Sequence, residues 1–122
     1  VIFTILLIGD VVILQSNETK KLLAHLYNEV SKEMFGVGTT LLKVTIENEI
    51  ITFQAKHRRS PRSTALEGEV PGLKQEVDFQ LSLLYKKKLL QKLQEQTELS
   101  IDVVLRDFDA RTQWAFTNII LK

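Results

Sequence analysis

The stretch Leu41-Leu42-Lys43-Val44-Thr45-Ile46-Glu47-Asn48-Glu49-Ile50-Ile51-Thr52-Phe53-Gln54-Ala55 decides the fold. It contains two alternating runs, Leu41 to Ile46 and Ile50 to Ala55, in which apolar and polar side chains follow the two-residue period of a half-buried strand. The short polar link Glu47-Asn48-Glu49 joins them as an antiparallel pair. Phe35-Gly36-Val37-Gly38-Thr39-Thr40 opens this hairpin and Lys56-His57-Arg58-Arg59-Ser60-Pro61-Arg62 closes it. Gly36 and Gly38 are what a chain needs to leave a helix through positive φ and enter a strand at once. The closing segment places four positive charges and a histidine where the backbone leaves a sheet, the usual place for a binding loop.

Upstream, Ser16 or Asn17 supplies an N-cap, and Leu22, Leu23, Leu26, Tyr27, Val30 and Met34 recur at the spacing of an amphipathic helix that Gly36 ends. Downstream, Thr64 and Glu67 have capping-box spacing for a short helix, which Gly68 and Pro71 terminate before a longer one begins. Leu73, Val77, Leu81, Leu84, Leu90 and Leu93 mark the buried stripe of that longer helix, with Lys74, Glu76, Lys86, Lys87, Lys88 and Lys92 largely outside it and an end near Thr97. Ile101 to Arg106 and Trp114 to Leu121 read as strands around an Asp107–Thr112 turn. The order α-β-β-α-β-β implies an α+β two-layer sandwich, an antiparallel sheet with both helices on one face. Trp114 and Phe116 share a strand face with Asn118 and Ile120, which reads as core packing.

The start, from Val1 to Leu14, is strongly apolar and lacks an initiator methionine, the expectation for a truncated or processed boundary. Asp10 interrupts a run that is short of the about 18 to 20 uncharged residues of a membrane span, and no basic front end marks a signal peptide. Residues 1–15 therefore read as an extra strand or a hairpin turning at Gly9-Asp10, and residues 16–122 as a single α+β domain. With 122 residues, 44% hydrophobic and 25% charged, the chain has the makings of one ordinary core. It has no cysteine, which excludes disulfides, thiolate metal sites and a cysteine nucleophile and makes the cytoplasm the default compartment. The net charge of +1 means that any attraction for an anionic partner comes from local clustering.

A helix ending in aromatic-Gly-x-Gly, a hairpin, a Ser-Pro pair leading into helices and a closing strand pair with an aspartate at its turn resemble the MpsC family, from about Thr19 to Leu121. That family is named as a component of a Na+-translocating membrane-potential-generating system. Phe35-Gly36-Val37-Gly38 stands where the family has its Gly-x-Gly turn, with Thr39 in place of the family's proline; Ser60-Pro61 matches its Ser/Thr-Pro pair, with Ser63 in place of an acidic residue; Asp107 matches the aspartate before the last turn. The resemblance implies a small accessory domain of a bacterial cation-translocating or inorganic-carbon-uptake system, acting on a membrane transporter subunit without spanning the membrane itself. It carries over no catalytic residue.

Read on their own chemistry, the residues predict a noncatalytic chain with no cofactor and no metal. An exposed His57 beside Arg58 and Arg59 is solvated, and His25 flanks the stripe of the first helix. Asp102, Asp107 and Asp109 offer oxygen ligands, but Asp102 and Asp107 lie five apart on a strand and point to opposite faces, so Asp107 and Asp109 are expected to cap the turn. Ser60 and Ser63 have no histidine-and-acid arrangement, and Gly36-Val37-Gly38 lacks the strand and third glycine of a dinucleotide site. The positive signal is the basic loop: Lys56, His57, Arg58, Arg59 and Arg62 are the expected contacts for an acidic or anionic partner, with Gly36, Gly38, Pro61 and Asp107 shaping the turns. A nucleic-acid-binding module using the same loop, extended by Lys86-Lys87-Lys88, is the alternative. Self-association is a further expectation, because a sheet covered on one face leaves the other available.

Overall fold

The computed structural model describes residues 6–8, 11–13 and 17–122. Two short strands, β1 (Leu6–Ile8) and β2 (Val11–Ile13), pair antiparallel with Leu6 opposite Ile13, giving the hairpin form of the amino-terminal run; Gly9-Asp10 and Ser16 lie outside the described residues. Helix α1 (Asn17–Phe35) follows, then β3 (Leu41–Glu47), β4 (Ile50–Lys56), α2 (Pro61–Glu69), α3 (Pro71–Gln96), β5 (Ile101–Phe108) and β6 (Trp114–Leu121). The last four strands form one antiparallel sheet in the order β3-β4-β6-β5. Both long helices pack on it, so the expected α+β sandwich stands, with α2 as an added short helix between the halves.

Register shows which face is covered. Ile46, Ile51, Ile119 and Val104 form one cross-strand row, and Val44, Phe53, Thr117 and Arg106 form the next. The apolar members of these rows are buried beneath Leu23, Leu26, Tyr27 and Val30 of α1 and Tyr85, Leu89 and Leu93 of α3. Lys92 clasps the helices together: its Nζ donates to Glu29 and Glu33 at 3.0 and 2.8 Å, which raises the lysine pKa and helps lower that of Glu29.

One local expectation stands and three change. Gly36 has φ +81, the left-handed exit from α1. Gly38 is needed for a different reason, since a Cβ there would come within 3.1 Å of the Asn28 Oδ1 that accepts bonds from both the Thr39 amide and hydroxyl. The short helix starts at Pro61 with Ser60 as its N-cap, the hydroxyl accepting from the Ser63 amide at 3.1 Å; proline's fixed φ suits that first position. Asp107 does not cap a turn. It lies in β5 opposite Phe116, and Asp109 holds the turn by accepting from the Thr112 amide and hydroxyl, which lowers the Asp109 pKa.

The largest departure is the rotation of α3. Lys74, Tyr85, Leu89 and Leu93 are its buried residues, with Lys74 ion-paired to Asp78, whereas Leu73, Phe79, Leu83 and Leu84 are exposed. Trp114 and Phe116 likewise belong to the open face of the sheet, where Phe116 is 44% exposed between Gln54 and Asp107. Among the described residues no helix is long and apolar enough to cross a membrane.

Candidate functional site

The basic segment splits into parts with different fates. Lys56 ends β4 and extends over the Trp114 ring, with Nζ 5.7 Å from its centroid. His57 turns inward and is 7% exposed, contrary to the expectation of a solvated histidine, because strand alternation carries it onto the covered face after Phe53 and Ala55. Arg58 and Arg62 are exposed, the latter in the first turn of α2. Arg59 is a fastener: Nη1 donates to Glu67 at 2.9 Å, while Nη2 donates to the Ala110 and Arg111 carbonyls. That fastening brings Arg111, in the β5–β6 turn, beside the loop. The same turn is held by Gln113, whose φ is +67; its amide donates to the Asp109 carbonyl and its carbonyl accepts from the His57 amide.

Beneath the loop lies a buried polar network. The Tyr85 hydroxyl donates to the Tyr27 carbonyl at 2.8 Å, so the bond of 2.6 Å to Ser31 Oγ has the serine as donor. Burial pushes the Tyr85 pKa far above its ordinary value and keeps the phenol protonated. Arg106 Nη1 donates to the Tyr27 hydroxyl at 2.8 Å and to Thr117 Oγ1 at 3.0 Å, and Nη2 donates to His57 Nε2 at 3.0 Å. The Tyr27 hydroxyl in turn donates to the same His57 nitrogen, 3.0 Å away. His57 is thus an acceptor at Nε2 and carries its proton on Nδ1. Desolvation first, and the Arg106 charge second, lower its pKa from 6.5 to about 4. The guanidinium lies flat against the Tyr85 ring, 3.9 Å from its centroid.

Next to this network a cavity of about 360 Å³ separates the 57–60 loop from α3. Its apolar lining includes Phe35, Val37, Leu81 and Phe108; its polar lining includes Arg106, Arg58, Arg59, Ser60, Ser63 and Asp78. His57 and Gln113 also line it. Among the described residues no carboxylate forms an ion pair with Arg106, and its Nε is buried without a hydrogen-bond partner. In this arrangement the histidine nitrogen that could serve as a base is already occupied by two donors, and Ser31 faces a phenol rather than a base. No cluster of three His, Asp or Glu side chains that could hold a metal occurs among the described residues.

Sequence reasoning brought forward His57, Arg58 and Arg59, which do meet at this cavity, but missed Arg106, Tyr27, Tyr85 and Arg111. A signal for Arg106 was present. Val104, Arg106 and Phe108 alternate on one face of the same strand, so the arginine had to follow Val104 inward. No protein-family model, curated protein or solved structure matches the chain.

Proposed function

We propose that this chain is a noncatalytic interaction domain that uses the arginine-rich end of the sheet to hold an acidic or anionic partner. The observation that carries this reading is the fastening of Arg59 to Glu67, Ala110 and Arg111, which holds the turn carrying exposed Arg111 against the loop that carries exposed Arg58 and runs on to Arg62, a basic rim. Glu67 is the one carboxylate in an ion pair with that rim among the described residues, so the rim keeps a local excess of positive charge although the chain as a whole is nearly neutral. Preorganised guanidinium groups suit bidentate contacts with carboxylates and phosphates. The resemblance of the sequence to the MpsC family supports a partner in a bacterial cation-translocating or inorganic-carbon-uptake system, with this domain as a cytoplasmic accessory to a membrane transporter subunit.

The second reading is a nucleic-acid-binding module. The observation favouring it is the open sheet face, where exposed Phe116 and half-buried Trp114 stand with Lys43 and Lys56, a combination of stacking surface and cations that suits single strands.

Tagged protein expressed in bacteria, recovered at low and high salt with and without nuclease, separates the two. A protein partner retained after nuclease and lost from the Arg58→Ala/Arg62→Ala/Arg111→Ala variant supports the rim. Recovery of nucleic acid alone, lost from Phe116→Ala and retained by the triple arginine variant, overturns it in favour of the sheet face. A partner held equally by wild type and triple variant also overturns the rim. The triple variant leaves Arg59 in place, so the loop stays fastened.

A further inference from the structure

Arg106 carries a full charge on the covered side of the sheet without a carboxylate among the described residues in an ion pair with it. A guanidinium has five N–H bonds in a planar fork. Three are directed at the Tyr27 hydroxyl, Thr117 Oγ1 and His57 Nε2, all of them neutral acceptors. The Tyr27 hydroxyl and His57 Nε2 are themselves 3.0 Å apart, as acceptors side by side across the Nη1–Nη2 end of the fork must be. That leaves Nε–H, which is buried, and its neighbour on the same edge, the second Nη2–H, as the donor left for a carboxylate in the cavity that Arg106 lines. Arg106 is half-buried, and stacking on Tyr85 together with neutral acceptors offsets only part of what its guanidinium loses by turning away from open water.

The cavity supplies the rest of the specificity. Its volume of about 360 Å³ lies near the small end of ligand sites. Phe35, Val37, Leu81 and Phe108 give it apolar walls, which a phosphate surrounded by water on all sides would not satisfy. Asp78 also faces it, bonded to buried Lys74, and a second negative charge on the ligand would meet that carboxylate. These features select a ligand with one carboxylate and a compact apolar body.

We propose that the cavity binds a small monocarboxylic acid, its carboxylate on Arg106 and its aryl or branched aliphatic body between Phe35, Val37, Leu81 and Phe108. This site goes beyond the rim described above and requires neither Arg62 nor Arg111. Arg58 and Arg59, on the cavity's polar side, raise the local concentration of anions near the mouth. Tyr27, Thr117 and His57 are positioning residues that hold the guanidinium in place for the ligand.

The test is calorimetric titration of the full chain with benzoate and 3-methylbutanoate, against benzamide and inorganic phosphate. Saturable binding of at least one acid, with benzamide and phosphate inert, is expected. Arg106→Met, confirmed folded by circular dichroism, should weaken the acid roughly 10- to 100-fold, as expected for loss of a charged hydrogen-bond donor. Ser82→Phe, which narrows the cavity from α3 without touching the network, should do the same and serves if Arg106→Met does not fold. Arg62→Ala/Arg111→Ala should bind the acid like wild type, so failure of the rim reading and of the pocket are separately visible. No binding of either acid, equal binding of benzamide, or undiminished binding by Arg106→Met or Ser82→Phe overturns the proposal.

Discussion

Acidification should destabilise this protein through His57 as the pH falls below about 6.5. The imidazole is buried, accepts at Nε2 from Tyr27 and Arg106, and has its pKa lowered to about 4, against an unfolded value of about 6.5. Because the folded pKa is the lower of the two, the contribution is fully present above about pH 6.5 and is lost as pH falls towards 4. A shift of this size corresponds to about 3 kcal/mol in full, of which about 2 kcal/mol should be gone by pH 5. Protonation would also remove the only lone pair to which two donors point, and place an imidazolium beside the Arg106 charge. Among the described residues the groups in contact with His57, namely Tyr27, Tyr85 and Arg106, offer no acid to compensate, and Asp78, which lines the same cavity, is paired with Lys74. Asp109 and Glu29, whose pKa values are lowered, lose their contributions mainly below this interval, and any part lost within it is shared by a variant without the imidazole. Urea unfolding followed by circular dichroism between about pH 8 and pH 5 measures the loss. The control is His57→Gln, whose side-chain oxygen can accept where Nε2 does and cannot titrate. Its stability should be nearly flat over the same interval. Parallel profiles for wild type and His57→Gln would refute the assignment of a neutral, doubly bonded imidazole.

Two further outcomes test the backbone and the network separately. Tyr85→Phe keeps the ring against Arg106 but removes the hydroxyl that receives the Ser31 bond; leaving that buried serine with fewer partners should cost about 1–2 kcal/mol in urea unfolding. Gly36→Ala should cost roughly 1–2 kcal/mol because its φ of +81 is left-handed, whereas Gly68→Ala in α2, where no atom lies within 4 Å of an added Cβ, should be neutral or raise stability by up to about 1 kcal/mol; equal effects at the two positions would show that the exit from α1 is not the constraint.

The sheet was legible because its signal is local. Alternation in Leu41–Glu47 and Ile50–Lys56, and again in Trp114–Leu121, specifies strand and face together, and a two-residue link leaves an antiparallel pair as the simple outcome. What alternation cannot say is which of two amphipathic faces will be covered. In β6 the larger side chains, Trp114 and Phe116, went to the open face, while Ala115 and Thr117 went under the helices. Small residues at those positions leave room for Tyr27, Tyr85 and the Arg106 guanidinium, three large groups contributed by other elements. The exit glycines were legible as a pair, but the separate reason for Gly38 depends on Asn28, a contact across the turn. The helix start at Ser60-Pro61 was readable in principle, since both residue types are favoured at N-cap and N1, but the capping-box spacing of Thr64 and Glu67 competed with it.

The reading of α3 held at Leu90 and Leu93 and failed at Leu73 and Leu84, for a reason that bears on function. Counting leucines gives a stripe through Leu73, Val77 and Leu84, yet the helix is oriented by Tyr85, whose hydroxyl must reach the Tyr27 carbonyl and Ser31 while its ring covers Arg106. Residues at three- and four-residue intervals from that anchor, Lys74, Asp78, Leu81, Ser82, Leu89 and Leu93, are therefore carried toward the sheet, and Leu73, Leu83 and Leu84 are turned to solvent. The polar anchor prevails because a buried phenol and serine beside a half-buried guanidinium must largely satisfy one another or meet a desolvation cost. The same rotation places Leu81 and Ser82 against the cavity and directs Asp78 to its lining. Pocket and exposed leucines are thus two consequences of one constraint, the need to seat Arg106 on Tyr85, and a chain that had optimised its core alone would have had no use for either.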